Sequence, residues 1–497
     1  MDSRDAFIPI YTLYCCIIAG IGAFSNGWTI GSPNIPGNIT HHCPNGYQHI
    51  QNNSFPDCLP MTTSLWGFAV ASFCLGGLAG GLLGGGIQTS LGRKKTIILN
   101  NTGFIFGGMI IGLSVNTVMF IIGRVLCGIS CGLGSLVIPT YLGEVSTIKA
   151  RGILGSFNQF FVVSGILFSS IVGLATANVP LWRLNYAFVA IPAITQSIVM
   201  TTCVESPRWL VSINRHDEAL ESLQKLRGKS VNVDVEFFSI LSGQLGYQRA
   251  TEIVVNAPCK HSIDIIKNEE ESISALKLES VPQNRQPMSI IDIFRDPVIR
   301  KITLIVLFHH SIQQLSGMNA VMFYSSVIFE TALDPHTAQY MTIISSAVNF
   351  IMSIIAVALV DKKGRRLLTL VSEVGLFLFS LLLVIGYLYN LSSLLIVSVF
   401  LYVSSFALGI GPIPWLITSE MTPIYASSAV GAAATSMNWA MSFLVGQLFP
   451  VVFDAIQGWS FLIFSVICLS SIFVTWCYLP ETKGRSIESI VQGFYKL

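Results

Sequence analysis

The sequence predicts an all-α membrane protein: twelve transmembrane helices in two pseudo-symmetric six-helix halves, with an intracellular helical segment between them. The first observation is composition, because 52% of the 497 residues are hydrophobic and only 11% are charged, against about 25% charged in an ordinary soluble chain. The mean hydropathy is +0.65, and the apolar runs are about 20 residues long, which is enough to cross a bilayer as helices. The second observation is a basic motif, here called the cationic signature, that occurs twice: Gly-Arg-Lys-Lys at 92–95 and Gly-Arg-Arg at 364–366.

Two acidic positions repeat with nearly the same offset as this signature. Glu144 recurs as Glu420 and Glu205 recurs as Glu481, with identical spacing in the two pairs. The spacing from Gly92 to Gly364 is almost the same. Three offsets that agree so closely indicate a duplicated half with its few charges at equivalent places.

The apolar runs define the spans and the domains. We expect the first half at residues 1–204, a cytoplasmic helical linker domain at 205–298, the second half at 299–480 and a cytoplasmic tail at 481–497. The twelve predicted spans are 8–30, 62–88, 96–116, 119–141, 153–175, 184–204, 301–325, 339–360, 367–388, 393–416, 428–451 and 459–479.

The distribution of Lys and Arg predicts the orientation. With both termini in the cytoplasm, only Arg124 and Arg183 of the 28 basic residues fall near the outer side. The first outer loop, about 31–61, contains no Lys or Arg but carries glycosylation sequons at Asn38 and Asn52. A further sequon begins at Asn390, in another predicted outer loop.

The same outer loop contains two cysteines. Cys43 and Cys58 could form a disulfide in the oxidising exterior, or they could be two unpaired thiols, and the sequence leaves both readings open. The other nine cysteines lie mostly in apolar spans, where a small packing role is expected.

The linker domain is the polar exception of the chain. Leucines at 220, 223 and 226 predict an amphipathic helix over 216–226, and a second helix is expected over 235–245. Residues 250–287 have no periodicity and predict a flexible linker. A short interfacial helix over 289–294 should then lead into the seventh span.

The spans contain very few ionisable groups. Arg124 and Glu373 lie close enough to span ends to reach water, so that reading is preferred to an ion path. His309 and His310 could relay protons, but buried neutral histidines bonded to neighbours are the preferred reading. The sequence shows no metal-ligand spacing, nucleophile elbow, phosphate loop or catalytic carboxylate pair, so we expect no enzyme, metal site or cofactor.

Uncharged amides and one Trp are what the spans carry instead. An amide in hydrocarbon costs several kcal/mol unless it is hydrogen-bonded. Amides often bridge helices, but their concentration in the second half favours a shared polar cavity. Asn and Gln both donate and accept, as a hydroxyl requires, and a Trp face suits the C–H face of a sugar ring, so the cavity predicts a neutral polyol ligand. The candidate residues are Gln159, Gln313, Gln314, Asn319, Asn349, Trp415 and Asn438.

Gly and Pro residues predict breaks in two spans of the second half. Gly317 interrupts the seventh span beside Asn319, and Gly409, Pro412 and Pro414 interrupt the tenth. Broken helices beside a midplane site are a recurring feature of transporters. A static kink packed against its neighbours is the alternative reading.

Seven motifs in order carry a resemblance. The chain resembles the sugar porter branch of the major facilitator superfamily, and within it the animal facilitative glucose transporters. The motifs are Leu-Gly-Arg-Lys-Lys at 91–95, Tyr-Leu-Gly-Glu-Val at 141–145 continuing to Arg151, Glu-Ser-Pro-Arg at 205–208, Gln313 to Asn319, Gly-Arg-Arg at 364–366, Gly-Pro-Ile-Pro-Trp at 411–415 and Pro-Glu-Thr-Lys-Gly-Arg at 480–485.

The resemblance implies a major facilitator fold, a multi-pass plasma-membrane location and a hexose site made of the seven candidate residues. It implies that the motif charges form cytoplasmic salt bridges between the halves, which close the inner side when the outer side is open. It implies hexose and the lipid bilayer as partners and no nucleic acid, and leaves homo-oligomer formation open. The residues assigned to the salt bridges are Arg93, Glu144, Arg151, Glu205, Arg365, Glu420 and Glu481.

Four features of the sequence bear on the activity. Proton-coupled relatives carry an acid where this chain has Thr29, which predicts facilitative uniport, with D-glucose as the first candidate. Three departures from the glucose transporter pattern are Ala407 in place of Glu, Ser427 in place of Arg, and His-Ser-Ile at 310–312 in place of Gln-Leu-Ser. A proton-coupled or polyol carrier and a non-transporting sugar sensor are therefore kept as alternatives.

Overall fold

The structure is a computed structural model that describes residues 8–42, 55–147, 150–228, 231–256, 288–483, 485 and 487–495. These residues form helices and connecting turns, and no strand occurs among them. The expected all-α fold class is confirmed.

Eight helices build the first half. In chain order they are α1 Ile10–Gly31, α2 Gly37–His41, α3 Thr63–Leu91, α4 Arg93–Gly112, α5 Thr117–Val145, α6 Arg151–Ala175, α7 Trp182–Ala187 and α8 Ala190–Val199. Four helices of the linker domain follow: α9 Pro207–Ser212, α10 His216–Arg227, α11 Asp234–Leu245 and α12 Tyr247–Asn256.

The second half begins with the short helix α13 Asp292–Arg295. It continues with α14 Pro297–Leu315, α15 Met318–Glu330, α16 Pro335–Lys363, α17 Arg365–Leu388, α18 Ser392–Leu408, α19 Ile413–Met421, α20 Ile424–Ile456 and α21 Ser460–Tyr478. A last helix, α22 Ile487–Tyr495, lies in the segment expected as a tail.

Nine segments of the described chain are long and apolar enough to cross a membrane. One of them, Tyr425–Tyr478, contains both α20 and α21. The helix α4 is made more polar by Arg93, Lys94 and Lys95, and α14 by its histidines and glutamines. With these two, the described helices account for the twelve expected spans.

Both copies of the cationic signature sit at a tight turn between two spans. Gly92 joins α3 to α4 with φ +87°, and Gly364 joins α16 to α17 with φ +90°. Because successive spans run in opposite directions, both turns lie at one end of the bundle, which we call the Arg end. The opposite end, where Asn34 follows α1, is called the Asn34 end.

The two expected helix breaks are present. Gly317 has φ +89° between α14 and α15, and a Cβ there would lie 2.5 Å from the ring of Phe464. This position therefore requires glycine for both backbone and packing reasons. Residues 409–412 separate α18 from α19.

The linker domain packs as a small helical unit with its own apolar cluster, which includes Trp209, Phe237 and Phe238. It is fixed to the first half by Arg227, which donates to the carbonyls of Val145 (2.9 Å) and Ser146 (3.1 Å) at the carboxyl end of α5. A cation is favourable at a helix carboxyl end.

The linker domain has both of its predicted helices, but it is helical over part of the predicted flexible linker. The predicted helices over 216–226 and 235–245 are confirmed by α10 and α11. The predicted flexible linker is wrong over 250–256, because α12 continues to Asn256 with Ala250 and Val254 buried in the domain. Residues 257–287 lie outside the described part of the chain.

The apolar cores show how the halves meet. One cluster is shared by both halves and includes Trp28, Phe73, Phe323 and Trp439. Towards the Arg end the described core divides into two further clusters, one confined to the first half and one to the second. The halves are therefore packed together on the Asn34 side and separate on the Arg side.

The predicted outer loop is described only in part. Asn38 is exposed and its amide donates to Glu330 (3.0 Å), while Asn52 lies outside the described residues. Cys58 is disulfide-bonded, but Cys43 also lies outside the described residues. The Cys43–Cys58 pairing and both glycosylation sites therefore stay predictions.

Candidate functional site

A cavity of about 150 Å³ lies between the two halves. This is room for on the order of ten water molecules, or for a small polar ligand of several heavy atoms. All seven residues predicted from the sequence, six amides and one Trp, line it: Gln159, Gln313, Gln314, Asn319, Asn349, Trp415 and Asn438.

The amides of the second half form a continuous hydrogen-bonded chain. Asn438 donates to Oε1 of Gln313 (2.6 Å) and accepts from Nε2 of Gln314 (3.0 Å). Asn319 donates to Oε1 of Gln314 and to Oγ of Ser442 (2.6 Å). Because each amide orients the next, the free donors and acceptors that remain are held in fixed directions.

The break in the tenth span supplies the anchor of this chain. Backbone carbonyls in a broken helix lose their partners. Those of Ile410 (3.1 Å) and Gly411 accept from Nε2 of Gln313, whose other amide atom bonds to Asn438. The broken helix thus places Gln313 and, through it, the network.

The first half contributes more than the sequence reasoning found. Besides Gln159, the amides of Asn26 and Asn158 line the cavity, as does Ser135, which accepts from Asn26 (3.5 Å). Oδ1 of Asn26 is buried without a partner, so it can accept from a bound ligand. The signal was present, because Asn26 is an amide within the first span and Asn158 precedes Gln159.

Two aromatic rings complete the wall. Trp415 is 36% exposed and packs edge-on against His310, with ring centroids 4.7 Å apart. Trp439 is only 7% exposed, yet its indole N–H is buried without a partner. The first ring offers a face and the second a hydrogen-bond donor.

None of the described residues that line the cavity is charged. Arg124 is 1% exposed and donates to the carbonyls of Thr29 (2.8 Å) and Val70 (2.8 Å), so the expectation that it reaches water is wrong. Two backbone oxygens inside the bundle bond to its terminal nitrogens instead, and its Nε is buried without a partner. The same expectation is wrong for Glu373, which is 0% exposed because spans of the second half enclose it.

The burial and the bonding expected of the two histidines are confirmed. His309 and His310 are buried, and each bonds to a neighbour. Nδ1 of His309 lies 2.7 Å from the carbonyl oxygen of Ile305, and Nε2 of His310 lies 3.0 Å from Oγ1 of Thr418.

The cavity is closed towards the Asn34 end. The amide of Asn34 donates to the carbonyl of Met322 (2.7 Å) and to Oγ of Ser325 (2.8 Å), both in the other half. Ser326 donates from its backbone N–H (3.2 Å) and its hydroxyl (3.0 Å) to Oδ1 of Asn34. These four bonds join the end of α1 to α15.

The cavity is open towards the Arg end. Gly155 lies one turn beyond Gln159 on α6, and Gly431 lies two turns beyond Asn438 on α20. A Cβ at either glycine would meet no atom within 4 Å. The wall residues of the two halves therefore diverge beyond the cavity, and the structure is an inward-facing state if the Arg end is cytoplasmic.

The motif charges of the first half form a compact cluster at the Arg end. Nη2 of Arg93 pairs with Glu144 (2.9 Å). The carboxylate of Glu205 accepts from the backbone N–H groups of Arg93 (2.9 Å) and Lys94 (3.0 Å), at the amino end of α4. An anion at a helix amino terminus is stabilised by the free N–H groups there.

The second half repeats this cluster. Arg365 pairs with Glu420 (2.8 Å), and Glu481 accepts from the backbone N–H groups of Arg365 (2.9 Å) and Arg366 (3.2 Å) at the amino end of α17. The duplication inferred from three sequence offsets therefore extends to the contacts that these residues make in the two halves.

The bridges expected between the halves belong to the state in which the inner side is closed, so they stay a prediction. Among the described residues, Arg93 bonds to Glu144 and Glu205, and Arg365 bonds to Glu420 and Glu481, each set within its own half. The physical reason is that the Arg end is open. The side chain of Arg151 lies outside the described part, so its pairing stays a prediction.

The two helix-capping acids differ in their electrostatics. Burial raises the pKa of Glu205 above its usual value, although three backbone N–H donors and Arg93 oppose this. Burial also acts on Glu481, but backbone N–H donors outweigh it and leave the pKa of Glu481 below its usual value.

Gly92 provides a test of the cluster's geometry. Its backbone, φ +87° and ψ 171°, lies in a region that is essentially restricted to glycine, and a Cβ would lie 2.5 Å from Oε2 of Glu205. We expect Gly92→Ala to lower the free energy of unfolding by roughly 1–3 kcal/mol, seen as a lower melting temperature in detergent. Gly86→Ala, on the same stretch of α3 but in open space, is the matched control. Equal melting temperatures for the two variants would contradict the assignment.

Comparisons with known proteins agree over nearly the whole chain. The family model described as "Sugar (and other) transporter" matches residues 15–494. Facilitated glucose transporter member 3 of solute carrier family 2 from Oryctolagus cuniculus is 33% identical, covering 97% of this chain and 92% of that protein. Member 4 from Homo sapiens is 31% identical, covering 96% and 89%.

Solved structures of a bacterial protein share the fold. The xylose transporter XylE from E. coli, in a partially occluded inward-open conformation, matches with a TM-score of 0.70 and 23% identity, covering 96% of this chain and 100% of that chain. The proton:xylose symporter XylE bound to 6-bromo-6-deoxy-D-glucose matches with a TM-score of 0.72 and 24% identity, covering 97% and 99%.

Two similar helical halves around a polar cavity that is closed at one end and open at the other define a membrane transporter of the major facilitator superfamily. The family match over nearly the full length narrows the assignment from this superfamily to one of its families. The chain belongs to the sugar transporter family, among the facilitated glucose transporters of solute carrier family 2.

Proposed function

We propose that the chain is a facilitative uniporter that carries a hexose, with D-glucose as the first candidate, across the plasma membrane by alternating access. The observation that carries this proposal is the cavity, which the described residues of the two halves line with amides, a partly exposed Trp and no charged side chain. The seven sequence-predicted residues are its proposed hexose site.

The donor and acceptor pattern fits a ring of hydroxyls. Asn26, Gln159 and the Gln314–Asn319 pair approach the cavity from both halves, so a ligand can bond to both at once. A net hydrogen bond contributes about 0.5–1.5 kcal/mol, and a few of them, less the cost of ordering the ligand, give an affinity in the millimolar range, about −4 kcal/mol. Such an affinity permits both capture and release.

Alternating access follows from the two ends. In the described state Asn34 joins the halves at its end, while the Arg93 and Arg365 clusters are self-contained. We infer that the opposite state breaks the Asn34 bonds and brings the two clusters together. The seven motif charges would then gate the cytoplasmic side, each cluster rigid enough to move as one body with its half.

Uniport is supported by the surroundings of Arg124. Its guanidinium donates to carbonyl oxygens, and the side chain of Thr29 bonds to its own helix at Ser25 (3.0 Å). Among the described residues, the hydrogen-bond partners of Arg124 are these backbone oxygens and no carboxylate. A carboxylate that could take up a proton beside this cation is therefore absent from the described part, in keeping with transport that is not coupled to protons.

A proton-coupled carrier remains the second candidate. It is favoured by one observation, the fully buried acid Glu373, and by the similarity in fold to a proton:xylose symporter. Glu373 does not line the cavity, so direct exchange of a proton with the ligand has no support in this geometry.

The membrane orientation is part of the proposal. With the Arg end in the cytoplasm, both termini are cytoplasmic, and Asn38, beside the Asn34 end, faces the exterior as a glycosylation acceptor. The excess of Lys and Arg in the segments assigned to the cytoplasm supports this placement.

Countertransport in proteoliposomes tests the proposal. Vesicles loaded with unlabelled hexose are diluted into labelled D-glucose, D-fructose, D-xylose or a linear polyol. We expect rapid exchange with a hexose and little with the polyol, because the rigid amide network fits a ring. Exchange with none of the sugars would overturn the carrier assignment, and binding without exchange would support the sensor.

A further inference from the structure

Three polar side chains from three helices of the second half meet in its interior, outside the cavity. They are Glu373 on α17, Thr475 on α21 and His309 on α14, and their exposures are 0%, 0% and 2%. Oγ1 of Thr475 lies 2.8 Å from Oε1 of Glu373 and 3.3 Å from Nε2 of His309. Oε2 of Glu373 is buried without a partner. We call these residues the Glu373 cluster.

Counting hydrogens shows what the cluster must hold. Nδ1 of His309 faces the carbonyl oxygen of Ile305 at 2.7 Å and therefore carries a hydrogen. Thr475 has one hydroxyl hydrogen, so it can donate to Glu373 or to Nε2 of His309, but not to both. In the first case Nε2 must be protonated and donate to Thr475, and in the second Glu373 must be protonated and donate to Thr475.

Both arrangements contain one shared proton and have no net charge. Loss of that proton would leave a buried carboxylate with no balancing cation in the cluster, which is costly in a medium of low dielectric constant. The titratable neighbours are Cys468 on α21 and His310 on α14, and both are fully buried. The cluster is therefore a neutral hydrogen-bonded link between three spans.

The position of His309 connects this link to the cavity. His309 and Gln313 are four residues apart on α14, so they share a helix face. That face is fixed to the second half by the Glu373 cluster and by the carbonyls of Ile410 and Gly411. The neighbouring face carries His310 and Gln314, whose bonds reach Thr418 and Asn438. Whatever sets the rotation of α14 also sets where Gln314 lies in the cavity.

We propose that Glu373, Thr475 and His309 are positioning residues that hold α14 in the rotation that presents Gln314 and Asn438 to the ligand. They act through the shared proton and do not touch the cavity. Glu373 is therefore a means of tuning substrate affinity from within the second half. This proposal rests on the proposed function for its transport readout only.

The test uses two substitutions of Glu373 and one control. Glu373→Leu removes the link. Glu373→Gln preserves it, because its amide N–H can donate to Thr475, whose hydroxyl then donates to His309. Ser380→Ala removes a buried hydroxyl on the same helix that bonds only to its own helix at Phe377 (2.9 Å). Thr475→Val breaks the link with little change of shape and replaces Glu373→Leu if that variant fails to fold.

Two measurements are made on the full chain. The first is KM for the sugar that the wild-type chain exchanges, and the second is backbone hydrogen exchange over 305–315 without any sugar. We expect Glu373→Leu and Thr475→Val to raise KM about tenfold and to speed exchange in this segment. Glu373→Gln should stay within about twofold of wild type in both. A loss of Vmax at unchanged KM would indicate a merely structural role and overturn the proposal.

The second measurement separates this proposal from the proposed function. If the wild-type chain carries no tested sugar, hydrogen exchange over 305–315 still tests the proposal. Faster hydrogen exchange in Glu373→Leu, together with the wild-type rate in Glu373→Gln, supports the link. Two results contradict the link. One is a hydrogen-exchange rate in Glu373→Leu that equals the rate in Ser380→Ala, and the other is a rate in Glu373→Gln that is as fast as in Glu373→Leu.

Discussion

Replacing Asn438 with alanine should lower kcat/KM for the transported hexose about 100-fold, the largest effect expected of any single substitution in the cavity. Its amide bonds to Gln313 and Gln314, so its removal takes this partner from two polar atoms of the cavity wall, Oε1 of Gln313 and Nε2 of Gln314. Each orphaned group costs about 1–3 kcal/mol, and a loss of about 3 kcal/mol corresponds to roughly 100-fold. Initial rates of zero-trans uptake in proteoliposomes measure the effect.

Asn101→Ala is the matched control for this substitution. Asn101 is 0% exposed, lies on α4 away from the cavity, and neither of its side-chain polar atoms has a partner. Its truncation therefore removes a buried amide without orphaning another group. We expect it to keep the wild-type KM. If Asn438→Ala and Asn101→Ala give the same kinetics, the amide network does not bind the substrate.

The second large effect is expected at Asn34. Its side chain forms four hydrogen bonds across the halves, to Met322, Ser325 and Ser326. These bonds exist only while the Asn34 end is closed. At about 1 kcal/mol or somewhat less for each bond, Asn34→Ala should shift the ratio of inward-facing to outward-facing molecules by on the order of 100-fold towards the outward-facing state.

Spin-label distances across the Asn34 end measure this shift. Asn178 and Tyr389 are exposed, at the ends of spans in opposite halves. They accept cysteine labels once the exposed Cys477 and Cys259, which lies outside the described residues, have been replaced by serine. Asn34→Ala should move the distance distribution towards the longer separation, and Asn101→Ala should leave it unchanged. A distribution that stays at the short separation would show that Asn34 does not hold this end closed.

Much of the site could be predicted because burying an amide costs several kcal/mol and this cost can be recognised from a single residue in its span. Each of Gln159, Gln313 and Asn438 stood out in an apolar span before any neighbour was known, and all line the cavity. Asn26 was missed because a single amide in its span is equally well explained as a bridge between helices. Only its unpartnered Oδ1, seen in the folded chain, distinguishes the two roles.

Pairing could not be predicted in the same way. The offsets of Glu144 and Glu420 revealed the duplication, but not whether each acid pairs within its half or across the interface, because that depends on which end is open. The side chain of Glu373 was predicted to reach water because the sequence defines the depth of a residue in its span only to within a turn or two. Its partners, Thr475 and His309, belong to spans that are distant in the chain, and only the packing of three spans brings them together.

The central claim is that an uncharged cavity carries a hexose without coupling to an ion, and steady-state accumulation tests it most directly. Proteoliposomes containing the wild-type chain are given labelled D-glucose with and without an imposed proton gradient. We predict that the internal concentration rises to the external one and stops there, with the same time course in both conditions. Accumulation above the external concentration that depends on the gradient would contradict the account and establish proton coupling.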